Sequence, residues 1–118
     1  MSGKNDQYRL RGRIWIVIGD RTIIGEGRAK LLEKTAELGS LHKASAELGI
    51  SYRQAWYSLN RMNKATELPV ISLQRGGKNG GIAHITDFGR EILNIFEKSQ
   101  NEFGKFLQNQ TEILKAQF

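Results

Sequence analysis

The chain has no cysteine among its 118 residues, which excludes a disulfide framework and a thiolate metal site. That suits a reducing compartment, and a cytoplasmic location is expected. Proline occurs once, at Pro69, and forbids further helix there. Long hydrophobic runs are also missing. The longest, Ile14 to Ile18, falls far short of the ~20 residues that span a bilayer, so no membrane partner is expected. The opening residues, Met1 to Gln7, are polar and lack the apolar segment of a signal peptide. They are expected to form a flexible N-terminus. Histidine occurs only at His42 and His84, far apart and with no thiol between them, so neither a metal nor another cofactor is expected. The acidic residues are scattered and form no nucleophile–base constellation, which argues against an enzyme.

What is abundant is positive charge. The net charge is +6, and it is unevenly placed. Residues 1–85 hold 14 basic and 7 acidic side chains, a balance of +7, whereas residues 86–118 hold 4 and 5, a balance of −1. A basic region of this kind is the electrostatic footprint of a phosphate binder, although charge alone also serves solubility. The length suits one domain rather than two.

Residues 8–18 alternate, with Leu10, Ile14, Ile16 and Ile18 on one face, and period two with β-branched residues predicts a strand. Gly19-Asp20-Arg21 turns the chain, Thr22-Ile23-Ile24 returns, and Gly25-Glu26-Gly27 breaks the pattern. Arg28 to Leu38 reads as a helix with Leu31, Leu32, Ala36 and Leu38 inward, stopped by Gly39. Ser40 caps a second helix, Leu41 to Leu48, which ends at Gly49, and Ser51 caps a third. In the third helix Tyr52, Ala55, Trp56, Leu59 and Met62 repeat at helical spacing and face the core. Strands are expected over Val70–Gln74 and Ile82–Ile85, with a last helix capped by Thr86.

Two helices joined by a short turn have the spacing of a helix-turn-helix, whose second helix enters the major groove with its N-terminal residues on base edges. Ser51, Arg53, Gln54 and Tyr57 hold that position, and no acidic residue lies between Ser51 and Lys64. Arginine can bond guanine O6 and N7 together, and glutamine adenine N6 and N7. Arg61 and Lys64, further along, suit phosphates, as does Lys43 on the preceding helix. The loop Arg75-Gly76-Gly77-Lys78-Asn79-Gly80-Gly81 reads as a basic wing, with Arg75, Lys78 and Asn79 as contacts to DNA. It lacks the GxxxxGK[ST] order of a nucleotide phosphate loop. Tyr52 and Trp56 lie on the apolar stripe, so packing accounts for them better than base stacking.

Gly39-Ser40-Leu41 through Ala44, Leu48-Gly49-Ile50-Ser51-Tyr52, Ala55-Trp56 and Met62-Asn63 resemble the N-terminal DNA-binding domain of molybdate-dependent transcriptional regulators of the ModE type. The loop Gly76 to Gly81, followed by Ile85-Thr86 and Gly89, is similar to the same family's glycine-rich segment. The resemblance covers about residues 10–95. It implies a LysR-like winged helix-turn-helix that acts as a homodimer on a pseudo-palindromic operator. DNA contacts would lie on the helix from Ser51 and on the wing around Lys78. Full-length members carry oxyanion-binding domains after this one. The chain stops at Phe118, so molybdate sensing is not expected to transfer, and the small-molecule effector is unknown.

The expected architecture is mainly α with a small β component. It comprises a winged helix-turn-helix domain over 8–85, opened by an N-terminal β-hairpin, and a long C-terminal helix over 86–118. Along that helix Ile92, Phe96, Phe103, Leu107, Leu114 and Phe118 are spaced 4, 7, 4, 7, 4, an eleven-residue repeat that keeps one apolar seam. With few residues of its own domain left to cover it, this seam is the candidate dimer contact, ahead of the strand face with Trp15 and Val17. The expected partner is double-stranded DNA, read sequence-specifically to regulate transcription. The alternative is a winged-helix module that binds an acidic protein partner.

Overall fold

The computed structural model describes residues 7–74 and 82–118. Near the N-terminus, β1 (Ile16–Ile18) and β2 (Arg21–Ile24) pair antiparallel across Gly19-Asp20. Gly19 has φ 58°, the left-handed conformation that a two-residue hairpin turn demands. The strand expected over 8–18 therefore shrinks to its last three residues. The register shifts between Ile16 and Val17, and such a bulge breaks the alternation of faces. Ile14 and Ile16 keep their place against the core, but Ile18 is 50% exposed beside Val17, and Leu10 is exposed as well.

Helix α1 (Glu26–Leu38) starts two residues before the expected Arg28. Gly25 acts as its N-cap and Gly27 lies inside its first turn. The first amide groups of a helix have no intrahelical acceptor, so glycine near the start disturbs little. The stop at Gly39 is as expected, with φ 64° and its N–H on the Thr35 carbonyl. Leu31 and Leu32 are buried, whereas Ala36 and Leu38 are half-buried and Thr35 takes an inward place. Its hydroxyl donates to the Leu31 carbonyl at 2.6 Å, which satisfies a polar group at zero exposure.

Helix α2 (Leu41–Leu48) and helix α3 (Tyr52–Ala65) follow with the expected caps. Ser40 Oγ accepts from the Lys43 N–H at 3.2 Å, and Ser51 Oγ from the Gln54 N–H at 3.0 Å. Gly49, at φ 73°, closes α2. Ala44 and Ala55 have no exposed surface, and their small side chains allow the two helices to approach closely. His42 stacks on Tyr52 with ring centroids 3.9 Å apart, a second tie between them.

Strands β3 (Ile71–Leu73) and β4 (Ala83–Ile85) pair antiparallel, Ile71 opposite Ile85. Asn63 on α3 holds the start of β3. Its Oδ1 accepts from the Val70 and Ile71 N–H groups at 2.7 and 3.1 Å, and its Nδ2 donates to the Ile71 carbonyl at 2.7 Å. β4 is anchored to the turn between α1 and α2, where the Ala83 N–H donates to the Gly39 carbonyl at 3.3 Å.

Helix α4 (Asp87–Gln117) opens on Thr86, whose Oγ1 accepts from the Gly89 N–H at 2.9 Å and donates to the Pro69 carbonyl at 2.6 Å. The core joins Ile23, Ile24, Leu32, Leu41, Leu59, Met62, Val70 and Phe96, all fully buried. Only the early part of α4 lies on it, so this helix of 31 residues, ~46 Å long at ~1.5 Å rise each, dominates the long axis of a molecule of 60 × 29 × 21 Å. The late part is not left bare, contrary to the premise behind the seam. The Leu10 N–H donates to Thr111 Oγ1 at 2.9 Å, Tyr8 stacks on Phe118 at 5.3 Å, and Gly12 lies against the Phe103 ring. The N-terminal segment runs along α4 instead of extending the β1–β2 sheet.

Candidate nucleic-acid interface

Helix α3 divides into two faces. Ala55, Leu59 and Met62 are fully buried, Tyr52 and Trp56 half-buried against the core. Around the other side Arg53, Gln54, Tyr57, Arg61 and Lys64 are exposed, with Ser51 exposed at the cap and Ser58 half-buried. Packing thus presents together the residues that the sequence singles out. Among the described residues, no hydrogen bond or ion pair engages the side chains of Arg53, Gln54 or Lys64. Their donors are free for an external acceptor. The Arg61 guanidinium lies over the Tyr57 ring, 5.6 Å from its centroid, a cation–π contact that holds the arginine along the helix rather than out in solvent. Tyr57 is 59% exposed.

Lys43 is exposed on the first turn of α2, on the neighbouring helix. His42 spends a face of its ring on Tyr52. Arg75, Lys78 and Asn79 lie outside the described residues, as does the rest of the expected wing loop. The last described pair before it is Gln74, whose N–H donates to the Ile82 carbonyl at 2.9 Å.

The fold adds two basic residues that the sequence reading passes over. An open cleft of about 650 Å³ lies between the C-terminal half of α3 and the β1–β2 turn, lined by Asp20, Arg21, Arg28, Tyr57, Arg61 and Lys64. Arg28 stands in the first turn of α1 and reaches back so that Nη1 donates to the Thr22 and Ile23 carbonyls at 2.7 and 3.0 Å. Burial, and then the charge of Arg61, lower its pKa below the ordinary arginine value. No spacing rule links residues 21 and 28 to 61 and 64; only the tertiary fold does.

The residues expected at a dimer contact divide as well. Phe96 is fully buried in the chain's own core and Ile92 packs on it. Phe103, Leu107 and Leu114 are half-buried along the late part of α4, while Ile95, Phe106 and Ile113 remain exposed. A second cleft, of about 570 Å³, opens between α4 and the hairpin, with Trp15, Arg28, Phe103 and Leu107 among its walls. Among the described residues no group of three or more His, Cys, Asp or Glu could hold a metal ion. No described helix is long and apolar enough to cross a membrane.

No family model matches the chain. Individual relatives do. It is 31% identical over 87 residues to the transcriptional regulator ModE of Haemophilus influenzae, covering 71% of this chain and 34% of that one. It is 34% identical over 70 residues to the DNA-binding transcriptional dual regulator ModE of Escherichia coli, covering 59% and 27%. With the molybdenum-pterin-binding protein MopB of Rhodobacter capsulatus it shares 31% identity over 107 residues, 91% of this chain and 39% of the relative. The chain spans about a third of the length of the curated relatives it matches. The motifs around α2 and α3 and these matches agree: the chain resembles a ModE-type domain.

Proposed function

We propose that the chain is a sequence-specific, DNA-binding transcriptional regulator that reads the major groove with α3. The observation that carries this reading is the outer face of α3. Its carboxylate-free run presents Arg53 and Gln54 at the N-terminal end, with their side-chain donors unengaged among the described residues. An α-helix fits the major groove, ~12 Å wide, and α3 at 14 residues is ~21 Å long. Ser51, Arg53, Gln54 and Tyr57 make base-edge contacts, while Arg61, Lys64 and Lys43 face the backbone. The wing residues Arg75, Lys78 and Asn79 add backbone or minor-groove contacts. The names of relatives such as the dual regulator of Escherichia coli support the same reading.

The regulator acts as a homodimer of the winged helix-turn-helix, LysR-like sort. Phe103, Leu107 and Leu114 on the late part of α4 belong to the contact, Ile92 borders it, and Phe96 supports it from the core. Two copies of α3 then stand about one DNA turn, ~34 Å, apart. Enrichment of a random duplex library on the purified protein at two salt concentrations tests the reading. An inverted repeat with half-sites one turn apart is the expected product. A library retained without sequence preference would reduce the protein to a non-specific DNA binder. No retained duplex would favour the acidic protein partner instead.

A further inference from the structure

The cleft beside the β1–β2 turn concentrates positive charge. Arg21, Arg28, Arg61 and Lys64 line it from three separate elements, so folding gathers four cations that repel one another. Asp20 lines it too, but forms no ion pair with any of them among the described residues. Both hydrogen bonds of Arg28 come from Nη1, and no described partner takes up Nε or Nη2. The fold thus fixes the Arg28 guanidinium through one nitrogen and leaves its other donors available, an arrangement suited to the fork geometry of phosphate recognition. The unfavourable effect of Arg61 on Arg28 is one that a bound anion relieves.

We propose that this cleft, walled by Arg21, Arg28, Arg61 and Lys64, is a phosphate-binding site that holds a backbone phosphate of the duplex engaged by α3. The proposal rests on α3 being the DNA-reading helix. A duplex is favoured over a free ion because the cleft is open and shares Tyr57 and Arg61 with the exposed face of α3. From Arg53 to Lys64 the helix rises ~16 Å, so the cleft lies several phosphates along from the base-reading end, at ~3.4 Å per step of one strand. Arg21 and Arg28 would widen the footprint to the N-terminal hairpin and the start of α1.

The test is equilibrium binding to the duplex recovered from the library, measured over a salt series for the wild type, Arg21→Ala and Arg28→Gln. Arg21 is exposed, so its truncation spares the fold. Glutamine at 28 removes the charge while keeping a polar side chain with an amide donor, on a shorter stem. Each variant should lower the slope of log K against log salt by about one, with sequence preference unchanged. Unaltered slopes and affinities in both variants would overturn the cleft and leave the reading of α3 intact. If the wild type retains no duplex, that reading fails, and titration with inorganic phosphate followed by amide NMR decides the cleft alone. Saturable shifts at Arg21, Arg28, Arg61 and Lys64, abolished in Arg21→Ala, would uphold the phosphate site with a free oxyanion as its source. Absence of a saturable shift would overturn it.

Discussion

Two residues on α3 show how neighbouring side chains serve unrelated ends. Arg53 is exposed and engages nothing in its own chain among the described residues. Arg53→Ala should leave thermal stability near the wild type and cost ~1–3 kcal/mol of specific binding. Unchanged discrimination between cognate and scrambled duplex would remove Arg53 from the groove. Asn63 is the opposite case, since its amide satisfies three backbone groups at the start of β3. Asn63→Ala leaves them without those partners and should cost ~1–3 kcal/mol in denaturant unfolding. Glu97 carries a pH signature. Burial, then the charge of Glu33, raises its pKa above the ordinary glutamate value. A carboxyl raised in this way favours its protonated form on folding. It costs stability above the folded pKa; the cost shrinks as pH falls from the folded pKa to the unfolded one and is gone below it. Glu97→Gln should therefore melt higher than the wild type at neutral pH and equal it in acid; a gain of the same size at both would point to packing instead.

At the scale of elements, glycines separate close approach from mere tolerance. A Cβ on Gly89 would overlap the Val70 carbonyl oxygen and press on Ile85. The first turn of α4 meets the β3–β4 hairpin backbone to backbone, and Gly89→Ala should lower the melting temperature by forcing them apart. Gly104 lies mid-helix with open space where its Cβ would be. Gly104→Ala should stabilise the isolated chain by ~1 kcal/mol through helix propensity. Loss of self-association in that variant, alongside the higher melting point, would mean that a second copy approaches there. The same contrast governs what was legible at this scale. Caps at Ser40, Ser51 and Thr86 and stops at Gly39 and Gly49 act on their immediate neighbours, so residue type and spacing predict them. The start of α1 and the length of β1 depend on contacts with other parts of the chain, which the local pattern at Gly25–Gly27 and residues 8–15 does not encode.

For the whole molecule, the outcome turns on how a 31-residue helix is covered. Its early part belongs to the core through Leu93 and Phe96. Its late part is covered on one side by residues 8–12 and leaves Phe106 and Ile113 uncovered, while Ile95 is exposed on the early part. Sedimentation at micromolar concentration should give a dimer that Leu107→Asp dissociates; a folded monomer in the wild type would end the dimer proposal. The order of helices and hairpins and the two faces of α3 were determined by the sequence alone, because periodicity, capping and turn chemistry are local. Only the tertiary structure decided that Arg21 and Arg28 join Arg61 and Lys64, that Phe96 is spent in the core, and that the N-terminal segment lies along α4. Each of these depends on which surfaces meet when residues far apart in sequence compete to bury the same apolar area, and no local pattern encodes that outcome.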